Sequence, residues 1–150
     1  MLSAKKETLY FTDFANRTWS GPGADFVHNT PRCSAAFEAQ FSADPEASLR
    51  IEASTDNLSC PVAAENIARF AERRDVKDIW ISAILRDPVE RIISEYEHTL
   101  RLGWQSGSLL HSLQCEKDRR SNGWHPLFWH IERTRYATQI SRYLASVFCF

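Results

Sequence analysis

The stretch Asp78–Arg101, DIWISAILRDPVERIISEYEHTLR, constrains the fold more than any other part of the chain. Trp80, Ile81, Ala83, Ile84 and Leu85 form a short, nearly continuous apolar run. That pattern predicts a parallel strand covered on both faces. Arg86 ends it. Asp87 then suits a helix N-cap, Pro88 the first helical position, and Glu90 the third residue after the cap. Val89, Ile92, Ile93, Tyr96 and Leu100 recur at helical spacing and make one apolar stripe. Glu90, Arg91, Ser94, Glu95, Glu97 and His98 fall largely on the other side. Arg86 thus leaves the carboxyl end of a predicted strand, where open α/β sheets bind ligands. Ser94 lies two turns into the helix, away from the apolar stripe.

The flanking segments extend this pattern. Ser48–Ala53, SLRIEA, reads as a second strand, and Pro61 opens a helix to about Arg73 with Val62, Ile67 and Phe70 on its inner face. Strand, helix, strand is a βαβ unit, which predicts a parallel sheet with a right-handed crossover. Elsewhere, Phe14–Asp44 is rich in Asn, Ser, Gly and Pro and reads as loops. Gly21-Pro22-Gly23 is a turn and not a phosphate-cradling loop, since no Lys-Ser or Lys-Thr follows. Ser34–Phe41 and Leu109–Leu113 suit short helices, and Glu116–Arg120, EKDRR, a solvated charged face. Pro126–Phe148 is the longest helical candidate, with Leu127, Ile131, Ile140, Tyr143, Leu144 and Val147 at helical spacing.

Composition narrows the partners. The 150 residues are 43% hydrophobic and 25% charged, with formal net charge −1. A near-neutral chain with scattered Lys and Arg lacks the footprint of a nucleic-acid or membrane-surface binder. No apolar run approaches a membrane span, and no apolar segment follows the first lysines as in a signal peptide. Cys33, Cys60, Cys115 and Cys149 show no C-x-x-C pair or metal spacing, and read as reduced thiols of a cytoplasmic protein.

Arg86 and Ser94 together suit an anion. A guanidinium offers a planar fork that matches phosphate, and a hydroxyl further along the helix adds a bond. The alternative is plain: Asp-Pro-x-Glu starts helices in any protein, and an Arg at a strand end can simply be solvated. Leu85–Tyr96, LRDPVERIISEY, resembles the 3′-phosphate-binding segment, R-x-P-x-x-R-x-x-S, of sulfotransferases that use 3′-phosphoadenosine 5′-phosphosulfate (PAPS). The likeness is to the carbohydrate and heparan sulfate branch and its bacterial relatives. Three weaker segments follow the same order. Lys5–Asp13, KKETLYFTD, resembles a K-E-x-x-F-F piece. Glu52–Leu58, EASTDNL, resembles E-A-S-x-x-Y-L, with Asn57 for Tyr and Ala53 where heparan sulfate enzymes carry Lys. Arg133–Leu144 resembles a Y-x-x-Q-L-x-x-Y/W-L helix through Tyr136, Gln139 and Leu144.

The resemblance implies a single partial sulfotransferase domain over residues 1–150. Its fold would be α/β, a P-loop-type three-layer sandwich around a parallel sheet. The first strand and its K-x-G-T-T-type phosphate loop would be missing, and so would the C-terminal end of the family's core. It implies PAPS as co-substrate, no metal, and transfer of a sulfuryl group to a hydroxyl or amine, with a carbohydrate as one candidate acceptor. Arg86 and Ser94 would hold the 3′-phosphate, and Glu7 would take the acceptor's proton. His28 is a second candidate proton acceptor, or a solvated loop residue. Without the loop that neutralises the leaving phosphate, the chain alone is expected to be weak or inactive. The alternative is a non-catalytic remnant that binds a nucleotide or a protein, with a partner chain completing the sheet.

Overall fold

An α-helix closes its backbone hydrogen bonds within itself, whereas a strand needs a neighbour. That difference governs this chain. The computed structural model describes residues 1–27, 30–44 and 46–147, apart from the side chain of Phe26. In chain order its α-helices are α1 Ser34–Glu38, α2 Asp56–Ser59, α3 Ala63–Arg74, α4 Pro88–Arg101, α5 Leu109–Gln114, α6 Glu116–Ser121 and α7 Tyr136–Ser146. Short 3-10 turns, including Pro126–Phe128 and Glu132–Thr134, lie between some of them.

The expected parallel sheet is not formed, and the α/β sandwich reading is corrected accordingly. Among the described residues, strand-like pairing is limited to two isolated parallel bridges, Leu2 with Ile51 and Ser20 with Trp124. In the first, Ile51 N donates to Met1 O and Ser3 N donates to Ile51 O, at 2.7 and 3.1 Å. Trp80–Leu85 runs without regular structure, and Trp80 and Ile84 are 90% and 99% exposed. The apolar run has the composition of a buried strand, but among the described residues no strand lies beside it to accept its N–H groups. The long helix expected over Pro126–Phe148 is also broken. His125 caps a 3-10 turn through Leu127 N, a second turn follows, and α7 starts only at Tyr136; residues 148–150 lie outside the described residues.

Two compact units divide the chain. The first comprises Met1–Arg17, Val27–Trp80 and Gln139–Phe150. Its core is apolar and aromatic. Tyr10 stacks on Phe37 at 4.3 Å between ring centroids, and Phe11, Phe41 and Phe70 meet Phe37 edge-on. Helix α3 presents Ala63, Ala64, Ile67 and Ala71 to this core. It ends at Asp75, whose left-handed backbone (φ 50°) lets Val76 N reach back to Ala71 O.

The second unit comprises Thr18–Phe26 and Ile81–Thr138. Trp19, Pro126 and Phe128 are buried here, but so are Glu95, Thr99, Ser112, Glu116, His125 and His130. Glu116 corrects the reading of EKDRR as a solvated face. Its carboxylate is buried and accepts from Ile131 N and Glu132 N at 2.7 and 3.0 Å. Arg119 lies over the Trp124 and Phe128 rings, 5.0 and 5.4 Å from their centroids.

Gly21 supports the Trp124 ring directly. A Cβ built there would lie 2.6 Å from Trp124 Cδ2, and its φ is +78°. Gly103 has a similar φ, +70°, but open space around it. Both Ala variants pay the left-handed backbone cost, and only Gly21→Ala adds a clash with a packed ring. Urea denaturation should find Gly21→Ala more destabilising than Gly103→Ala by about 1–3 kcal/mol.

Candidate functional site

Helix α4 begins as its sequence dictates. Asp87 Oδ1 accepts from Val89 N and Glu90 N at 2.9 and 3.0 Å, and Pro88 occupies the first turn. Those two amides are therefore taken, so an anion at this helix start would be held by side chains. Arg86 stands just before the cap. Its Nε donates to Glu90 Oε2 at 3.1 Å, in a pair whose side chains are more than half exposed. Ser94 is half-buried on α4, and its hydroxyl has no hydrogen-bond partner among the described residues. It lies seven residues beyond the cap, about 10 Å along the helix axis. A guanidinium using only Nε and an unengaged hydroxyl on one helix suit a phosphate group.

The body of α4 is oriented differently from its predicted stripe. Its buried residues are Glu95 and Thr99, while Val89, Ile93 and Leu100 are exposed. The cause is an ionic cluster around Glu95. Arg91 bonds both carboxylate oxygens at 3.1 and 3.2 Å, and its Nη2 also donates to His130 O at 2.7 Å. Arg133 Nε lies 3.0 Å from Oε1, and His130 Nδ1 lies 2.9 Å from Oε2. Burial alone would raise the Glu95 pKa. Arg133, the His130 hydrogen bond and Arg91 outweigh it and hold the carboxyl below its ordinary value. The ionised carboxylate can only accept, so Nδ1 carries the proton, and Nε2 faces Ser112 Oγ at 3.1 Å.

Ser112, His130 and Glu95 thus share the connectivity of an acyl-transfer triad. Their surroundings argue for structure instead. Ser112 and His130 are fully buried, and Arg119 Nη1 donates to the Ser112 hydroxyl at 2.7 Å. Neither the hydroxyl nor the imidazole can meet a substrate. The cluster fixes α4, and with it the residues flanking Ser94.

Glu7 lies in the first unit. Its Oε2 accepts from Thr55 Oγ1 at 3.2 Å, which joins the KKETLYF and EASTDNL segments. The organising carboxylate there is Glu52, which sequence reading did not single out. It accepts from Thr8 Oγ1, Ser54 N and Asn57 Nδ2 at 2.8, 3.1 and 2.7 Å, and from the Ser54 hydroxyl. Its signal was the E-x-S-x-x-N spacing, which lets one carboxylate close a polar turn. Tyr143 seals the same turn by donating to Asn57 O at 2.7 Å, and burial pushes its phenol pKa well above the ordinary value. Tyr143→Phe should lower stability by about 1–2 kcal/mol in thermal or urea unfolding, because it takes the donor from a part-buried carbonyl.

His28 falls outside the described residues. Cys33, Cys60 and Cys115 are free thiols. Among the described residues, no group of three or more His, Cys, Asp or Glu is placed to hold a metal ion, and no helix is long and apolar enough to cross a membrane.

No family model matches the chain, and no curated protein matches it. Among solved structures, it is similar to a sulfotransferase from Alicyclobacillus acidocaldarius. The TM-score is 0.85 at 30% identity, over 97% of this chain and 57% of that one. This chain has a sulfotransferase-like fold. It spans little more than half the length of the solved protein. These 150 residues follow the path of part of that sulfotransferase.

Proposed function

We propose that this chain is part of a PAPS-dependent sulfotransferase, in which Arg86 and Ser94 bind the 3′-phosphate of the co-substrate. The observation that carries the reading is the match to the bacterial sulfotransferase across 97% of the chain. The exposed Arg86 just before α4 and the Ser94 hydroxyl two turns into it, unengaged among the described residues, support the assignment of the phosphate. When bound, PAPS supplies the sulfuryl group and its leaving phosphate. A hydroxyl or amine acceptor, a carbohydrate being one candidate, would attack in line. Glu7 would accept the acceptor's proton; its carboxylate accepts a hydrogen bond from Thr55 Oγ1.

Isothermal calorimetry tests this directly. Adenosine 3′,5′-bisphosphate is expected to bind at least tenfold more tightly than 5′-AMP, because one more charge-assisted contact contributes about 1.5–3 kcal/mol. Equal affinity for the two nucleotides, or no binding to the folded chain, would sink the assignment. A second reading rests on the 57% coverage of the solved protein: a nucleotide- or protein-binding module with little turnover of its own. A sulfuryl-transfer assay separates the two, and the chain alone is expected to turn over weakly or not at all.

A further inference from the structure

The aromatic core of the first unit borders a cavity of about 250 Å³. Tyr10, Phe11 and Phe70 line one part of it, and Asn16, Ser34 and Arg73 another. All of these residues belong to the first unit. Glu7, Arg86 and Ser94 do not line it, so neither the proposed phosphate site nor the proposed base accounts for it. The rings are fixed against one another. Tyr10 meets Phe11 and Phe70 edge-on at 5.1 and 6.1 Å between centroids, and Phe11 meets Phe70 at 5.5 Å. Asn66 Nδ2 donates to Phe11 O at 2.9 Å and ties α3 to this wall. The aromatic wall is therefore formed before any ligand arrives.

The polar groups at the cavity are unevenly matched. Among the described residues, the Tyr10 hydroxyl and the Asn16 and Ser34 side chains make no hydrogen bond, and Arg73 forms no ion pair. Burial raises the Tyr10 pKa against the pull of Arg73, so its phenol is an uncharged donor at neutral pH. The other charges are already paired, Asp13 with Arg17 and Arg74 with Glu38. One guanidinium is left over beside neutral donors and an aromatic wall.

These features select the ligand. A cavity somewhat below the range of about 300–1,000 Å³ that holds drug-sized molecules has room for a single ring. Aromatic rings attract a further ring edge-on or offset. The unmatched guanidinium suits an anion, and its planar fork matches a carboxylate. A sugar acid would satisfy the charge but would set its hydroxyls against phenyl rings, where they find no partner. We infer that this cavity is a binding site for a small aromatic carboxylate, with the ring against Tyr10 and Phe70 and the carboxylate on Arg73. Asn16 and Ser34 suit a hydroxyl on that ring. The assignment does not depend on nucleotide binding, and its test contains no nucleotide.

The probe is 4-hydroxyphenylacetate, titrated into the ¹⁵N-labelled chain and followed by NMR. Saturable shifts are expected at the amides of Tyr10, Asn16, Ser34 and Asn66. The uncharged 4-hydroxyphenylacetamide keeps the ring, and glucuronate keeps the charge without it. Each should bind roughly tenfold more weakly or worse, since each lacks one of the two contacts. Arg73→Gln should weaken the probe roughly five- to tenfold, and Arg74→Gln less, because Glu38 already holds Arg74. Arg73 is exposed, so the Arg73→Gln chain should keep the parent's circular dichroism and melting temperature. No saturable shift at millimolar probe would overturn the inference, as would shifts confined to other residues. Equal affinity for the amide or for glucuronate would overturn it too, and so would binding indifferent to Arg73→Gln.

Discussion

Replacing Glu95 with alanine is expected to destabilise the protein by about 3–5 kcal/mol, the cost of removing one partner from a buried ion cluster. Its carboxylate meets three basic side chains. Arg91, Arg133 and His130 converge on it with side chains that are 18%, 10% and 0% exposed. Without it, two guanidinium groups are left facing each other away from water. Denaturation with urea at neutral pH reads the loss. A change below about 1 kcal/mol would mean that the cluster is solvated, as surface pairs are. Acid should reproduce part of the effect in the parent protein. The Glu95 carboxyl is held below its ordinary value, so its contribution is present above that value, near pH 4.3. It is lost as the pH falls through the lowered folded-state pKa. In Glu95→Gln that step of the acid titration should disappear, because no proton is taken up at this site.

The second large effect concerns binding rather than folding. Arg86→Ala should weaken adenosine 3′,5′-bisphosphate roughly ten- to a hundredfold while leaving 5′-AMP nearly unchanged, since a charge-assisted bond contributes about 1.5–3 kcal/mol. Stability should hardly move. The Arg86–Glu90 pair is more than half exposed on both sides, and such pairs contribute at most about 1 kcal/mol. That separation makes the result interpretable, because weaker binding cannot be blamed on unfolding. Arg86→Lys should recover only part of the affinity, since an ammonium cannot present a planar fork. Equal losses for both nucleotides would place Arg86 away from the 3′-phosphate.

Local rules were legible wherever a residue's partner lies within a turn of it. Asp87, Pro88 and Glu90 mark the start of α4, and the structure begins the helix at Pro88 with Asp87 as its cap. The α3 helix and the short helices at Ser34 and Leu109 likewise fall close to where the sequence reading places them. The LRDPVERIISEY motif pointed to a sulfotransferase, and the solved structure that the chain resembles is one. Where partners are distant, pattern failed. Helical spacing put Glu95 on the solvent side of α4, because nothing near it in sequence reveals His130 or Arg133, 35 and 38 positions away. Glu116 was read as solvated for the same reason, its partners being the amides of Ile131 and Glu132.

The sequence by itself determined the start of α4 with its Asp87 cap, the approximate spans of α3 and of the short helices at Ser34 and Leu109, and the sulfotransferase likeness, since each depends on residues within a few positions or on a short ordered motif. Only the tertiary structure decided which face of α4 is buried and whether Trp80–Leu85 becomes a strand. A carboxylate with three basic partners can be buried in place of leucine and isoleucine side chains, whose removal from water is favourable but non-directional. A strand's hydrogen bonds must come from another segment, and within the described residues none lies beside it, so an apolar run remains irregular and largely open to solvent.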